Sequence, residues 1–135
     1  MKVVSRATTI LGFLTWLIPF AASFAFFDRS GHVVIPQPLF KSIMVVVFGG
    51  LGTALLVAAF RRVEPTWRSG LALGCYWLAI NLILDLVVLV PMMGTPVRDY
   101  VYDIGLRYLL IPIIATAMGA AAERAAREAG AAAKT

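Results

Sequence analysis

Four polar side chains stand where a chain this apolar has little reason to put them. They are Asn81 and Asp85 in N-L-I-L-D-L-V-V-L-V-P, and Asp103 and Arg107 in D-I-G-L-R-Y. Each pair is spaced by four residues, which places its members on one face of a helix. A lone Asp or Arg near the middle of a membrane-spanning helix costs about 2.5–3.5 kcal/mol on insertion scales. Pairing offsets that cost, and a guanidinium fork can hold two carboxylates at once. The spacing therefore predicts a buried cluster of Asp85, Arg107 and Asp103, with Asn81 one turn deeper. Trp77, Tyr100 and Tyr108 are the expected hydrogen-bond donors around it, with Tyr76 and Tyr102 as further candidates. Such a cluster has two uses. It can take up a proton, ion or small polar solute, as intramembrane ionisable groups often do. It can also simply hold two helices in register. Asp85, the member least able to reach an interface, carries most of the functional expectation.

Other chemistry finds little material. Cys75 is the single cysteine and His32 the single histidine. No disulfide can form within the chain, and no Cys/His metal cluster can be assembled. His32 falls in a polar connection, so no Ser/His/Asp constellation is available. Gly49-Gly50-Leu51-Gly52 lies inside an apolar run and lacks the Lys of a phosphate loop. The expectation is a non-enzymatic protein with no cofactor and no metal.

The elements that must position these groups follow from composition. The 135 residues are 61% hydrophobic and 14% charged, with a mean hydropathy of +0.88. Soluble domains carry roughly 25% charged residues. Four apolar runs, 7–27, 39–60, 70–91 and 100–122, each match the roughly 20 residues needed to cross a bilayer. Between them lie D-R-S-G-H-V-V-I-P-Q-P, R-R-V-E-P-T-W-R-S and M-M-G-T-P-V-R-D, rich in charge, Gly and Pro, where helices stop. The runs are too long for the alternating strands of a barrel. The sequence thus predicts an all-α membrane protein: one antiparallel bundle of four transmembrane helices, with a helical tail to about residue 129.

The net charge of +5 fits that threading better than it fits nucleic acid, because the basic residues cluster at the ends of the runs. With the N-terminus inside, Lys2, Arg6, Arg61, Arg62, Arg68, Arg124, Arg127 and Lys134 face the cytoplasm. Arg29, Lys41, Arg98 and Arg107 lie at the outer side, and eight against four favours N-in, C-in. Lys2, Arg6 and the S-F-A of residues 23–25 also resemble a cleavable signal peptide, but the apolar run outlasts a normal signal core.

Within the runs, small and polar residues share faces. Examples are Thr8, Gly12, Thr15 and Pro19 in the first, and Gly70, Gly74, Trp77, Asn81 and Asp85 in the third. Gly70-xxx-Gly74 and Ala115-xxx-Gly119 fit the small-xxx-small pattern by which helices approach closely in lipid. Pro19 and Pro112 free backbone carbonyls and shape the first and fourth helices. Trp16 and Trp67, Lys41 and Arg29 read as interfacial anchors.

W-L-A-I-N-L-I-L-D-L followed by D-I-G-L-R-Y-L-L-I-P-I resembles small bacterial four-helix integral membrane proteins of uncharacterised function. That resemblance, clearest over the second half, implies a fold and a multi-pass place in the bacterial cytoplasmic (inner) membrane, and no activity. Small multidrug exporters place a Glu in the first helix, which is missing here, and mercury transporters need paired cysteines. The expected role is a membrane subunit or helper, partnered by the bilayer, by copies of itself or by a larger membrane protein. The alternative is a homo-oligomeric transporter or channel for an ion or small solute, using Asp85 and Asn81.

Overall fold

The computed structural model describes residues 3–94 and 96–133, so Lys2, Thr95 and Lys134 lie outside the described residues. The described chain is helical, apart from one isolated antiparallel bridge between Phe27 and Val33. Helix α1 is Arg6–Ser23, extended by a 3-10 turn at Phe24–Phe26. Helix α2 is Gln37–Phe60. Helix α3, Trp67–Leu84, passes through a π-helical turn at Asp85–Leu89 into α4, Val90–Met93. Helix α5 is Val97–Asp103, followed by a 3-10 stretch at Gly105–Leu109 and by α6, Leu110–Ala132. Four stretches are long and apolar enough to cross a membrane: Arg6–Phe26, Gln37–Phe60, Trp67–Met93 and Gly105–Ala132.

Capping sets two of the starts. Ser5 and Thr66 each accept a hydrogen bond from the backbone N–H three residues on, and the side chains of Thr8 and Ser69 accept one from the cap residue's N–H. These reciprocal bonds satisfy donors that a helix end leaves bare. They start α1 and α3 at Arg6 and Trp67, slightly ahead of the apolar runs. At the other end α6 runs through Gly130 to Ala132, because the alanines around that glycine keep the helix going.

The fourth span departs from a single helix over 100–122. The backbone breaks at Ile104 (φ −128°, ψ −52°) and winds as a 3-10 stretch before α6 begins. Two residues account for this. Gly105 has little helix propensity, and Pro112 supplies no N–H to the carbonyl of Tyr108.

Packing follows the small residues. A Cβ placed on Gly70 would collide with the Ala115 carbonyl, one on Gly74 with Pro112, and one on Gly119 with the Thr66 carbonyl. The two small-residue stripes therefore face each other, and the order of contacts makes α3 and α6 antiparallel. Helices α1 and α3 run in the same direction, joined by Thr9–Tyr76, Thr15–Asn81 and Trp16–Asp85 contacts. Leu56, Ala59, Leu73, Trp77 and Ala115 form the buried core. The outer faces are hydrocarbon: Ile10, Val46, Ile83, Val87 and Ile113 are each more than half exposed.

Candidate functional site

Asp85 is the centre of the molecule's buried polar chemistry, with 1% of its surface exposed. Trp16 Nε1–H donates to its Oδ1 at 2.6 Å, and the Tyr100 hydroxyl donates to its Oδ2 at 2.8 Å. The Tyr108 ring lies beside the same carboxylate. Both tyrosines reach Asp85 because the chain breaks between them. In an unbroken helix they would stand about 12 Å apart along the axis, too far to share one carboxylate.

The helix also changes at Asp85 itself. The Val90 N–H donates to the Asp85 carbonyl, five residues back rather than four. Pro91 follows at once; it has no N–H for the carbonyl of Val87, and its ring crowds that turn. Single π turns of this kind occur often at functional sites.

One turn deeper, Asn81 is fully buried. Its Nδ2 donates to the Thr15 hydroxyl at 3.0 Å and to the Trp77 carbonyl at 2.8 Å. The carbonyl can only accept, so the amide orientation is fixed and Oδ1 points elsewhere. That oxygen is buried and has no hydrogen-bond partner among the described residues. Leaving such a group unpaired costs about 1–3 kcal/mol.

The other expected members are distributed differently. Asp103 does not meet Asp85: it is 65% exposed and ion-paired to Lys41 of α2 at 3.3 Å. It stands before the Ile104 break, while Arg107 stands after it, so the one-face spacing of a continuous helix does not apply. Arg107 is half-buried and lines the same cavity as Asp85 and Asn81. Among the described residues its guanidinium has no ion-pair or hydrogen-bond partner. Trp77 is not a donor to Asp85; its Nε1–H bonds the Thr8 carbonyl at 2.9 Å. Its ring fills the space over Gly12, where a Cβ would meet it at 2.6 Å. Tyr76 bonds Thr9, and Tyr102 is exposed beneath Arg98.

Trp16 is the functional residue that sequence reasoning misplaced. It is buried, not interfacial, and it supplies the shortest contact to Asp85. A signal existed: Trp16 shares a helix with Thr8, Gly12 and Thr15, whose face turns to the third span. Trp67 is 45% exposed, with Arg68 over its ring.

A cavity of about 270 Å³ lies among α1, α2, α3 and the fourth span, partly open to the outside. Its walls are largely apolar, with Asn81, Asp85, Arg107 and Tyr108 and the hydroxyl residues Thr15, Ser23 and Thr53 as polar points. Gly49 and Gly52 of α2 border it, and a Cβ on either would meet nothing within 4 Å. Among the described residues no three His, Cys, Asp or Glu side chains are grouped to hold a metal ion.

His32 sits outside this centre, in the first connection. Asp28 Oδ1 accepts from the Ser30 N–H (2.8 Å), the Ser30 hydroxyl (2.7 Å) and the His32 N–H (2.9 Å). The Ser30 hydroxyl bond, the His32 backbone bond and others hold the Asp28 carboxyl below its ordinary value. Gly31 supplies the left-handed backbone (φ 82°) that closes the turn.

The chain matches no family model, no curated protein and no solved structure.

Proposed function

We propose that the chain is a non-enzymatic, multi-pass protein of the bacterial cytoplasmic membrane, threaded with both termini inside. Its role is that of a small membrane subunit or helper, in which Asp85 locks the spans together. The observation that carries this is the use of both Asp85 oxygens by donors from two other elements, Trp16 of α1 and Tyr100 of α5. A carboxylate so engaged is a fastener first. The threading is supported by the exposed apolar faces and by the helix directions. Those directions collect Arg6, Arg61, Arg62, Arg68, Arg124 and Arg127 at one end. Its partners are the bilayer and a second membrane chain, its own copy or another protein; nucleic acid is not among them.

A second reading, a homo-oligomeric transporter or channel, is favoured by one observation. The cavity reaches Asp85 and Asn81, and Asn81 Oδ1 lacks a partner. Reconstituted vesicles separate the two. The fastener reading expects no proton or ion flux above the empty-vesicle rate and a lower melting temperature for Asp85→Asn. A wild-type flux abolished by Asp85→Asn would replace it with the transporter.

A further inference from the structure

Arg107 is the unexplained charge of this molecule. It is half-buried at the edge of an apolar cavity, and its guanidinium has no partner among the described residues. A guanidinium placed there normally pairs, because an anion offsets the loss of its hydration. Asp85 does not serve, since its oxygens are taken by Trp16 and Tyr100. Asp103 does not serve either; it is turned to Lys41. Arg107 also borders a shallow groove on the α2 side, shared with Lys41, Val45 and Val46. Arg107 thus borders both the groove and the cavity, with Lys41 and its partner Asp103 beside it. The cavity beyond Arg107 is largely apolar.

We propose that this site binds an anionic membrane lipid, with the phosphate at Arg107 and Lys41 and one acyl chain in the cavity. The inference rests on the membrane reading above, which supplies the lipid. Charge complementarity selects the head: Arg107, unpaired, matches a phosphate in a bidentate fork, and Lys41 of the facing helix adds a point charge by exchanging its exposed pair with Asp103 for the phosphate. Shape selects the chain. At about 270 Å³ the cavity falls just under the roughly 300–1,000 Å³ of ordinary small-molecule pockets, and suits a slender apolar body. Gly49 and Gly52 keep the α2 wall open; their backbone faces meet no atom within 4 Å of a built Cβ.

Native mass spectrometry of the full chain, extracted from membranes in non-ionic detergent, tests this with three added probes: phosphatidylglycerol, phosphatidylcholine and oleate. Recovery in carbonate-washed membranes checks the membrane reading separately, before any lipid is added. The expected result is retention of phosphatidylglycerol at least tenfold above phosphatidylcholine. Arg107→Gln should lower that retention by about tenfold or more, the scale of one lost charge-assisted contact. Gly49→Leu fills the corridor while raising helix propensity, so it folds and should also lose phosphatidylglycerol. Equal retention of the two phospholipids would overturn the role of charge. Retention unchanged in both variants would overturn the site, and retention of oleate alone would overturn the lipid as its occupant.

Discussion

At the scale of single residues, Asp85 is constrained by what its two neighbours can do. Trp16 can only donate, whereas the Tyr100 hydroxyl can donate or accept. Asp85→Asn therefore keeps an oxygen for Trp16 and turns an N–H toward Tyr100. It loses only the charge-assisted part of each bond, about 1–2 kcal/mol in all. Asp85→Leu leaves both donors buried and unpaired, and is expected to cost about 2–5 kcal/mol. Thermal unfolding in detergent should rank wild type above Asn above Leu; Leu at or above Asn would remove the fastener role. Trp16→Phe keeps an aromatic ring against Phe20 but leaves Asp85 Oδ1 buried without its donor, so it should lie below Asn in the same series. Asp28 gives a pH test outside the spans. Its carboxyl is held low in the folded turn, so the turn's order is present above the ordinary value of 3.8 and is lost as pH falls through the lowered value. The protection of the Ser30 and His32 amides, the two N–H groups bonded to Asp28, measured against their intrinsic exchange rates, should fall only in acid. Asp85 was legible in the sequence because a carboxylate is conspicuous among Leu and Val. Trp16 was legible only in part: it follows Gly12 by one turn on the small-residue side of the first span, but an indole suits an interface as well as a buried acceptor.

At the scale of elements, glycine position decides which helices touch. Gly70 and Gly74 sit against the backbone of Ala115 and Pro112, where no flexible side chain can move aside. Gly74→Ala is expected to force α3 and α6 apart and to destabilise the protein by about 1–3 kcal/mol. Gly50→Ala, on a helix face with nothing within 4 Å, should stabilise by up to about 1 kcal/mol through propensity alone. The same chemical change thus carries opposite signs at two sites, and detergent melting curves read both. The small-xxx-small pattern was visible beforehand, but which stripe met which was not: the pattern specifies close approach and leaves the partner open. The Ile104 break was hidden for a related reason. The run Tyr100 to Ala122 is apolar enough throughout, and hydropathy does not register the missing donor at Pro112 or the weak propensity of Gly105. That break is what moves Asp103 out to Lys41 and brings Tyr100 in to Asp85.

At the scale of the whole molecule, the exposed apolar surface and the sparse core are two views of one arrangement. The outer faces of α1, α2, α3 and α6 display Ile10, Val46, Ile83 and Ile113, while the buried centre is small and partly polar. In water such a surface would drive association, since monomeric soluble proteins rarely expose more than a few hundred Å² of contiguous apolar area. In a bilayer it costs nothing, and cohesion comes from close backbone approach and the polar centre. Cys75 tests this environment without any substitution. It is the single cysteine and is exposed on the face of α3, next to Gly74. If α3 spans a membrane, a charged, membrane-impermeant maleimide should leave Cys75 unmodified in intact or permeabilised membranes, because the thiolate does not form readily in hydrocarbon and the charged reagent does not enter it. A small apolar maleimide should reach it there but label it only slowly, and both reagents should label it rapidly once denaturing detergent strips the lipid. Rapid modification by the charged reagent in permeabilised membranes would place that face in water. The four spans would then have to bury their apolar sides against other protein instead of lipid.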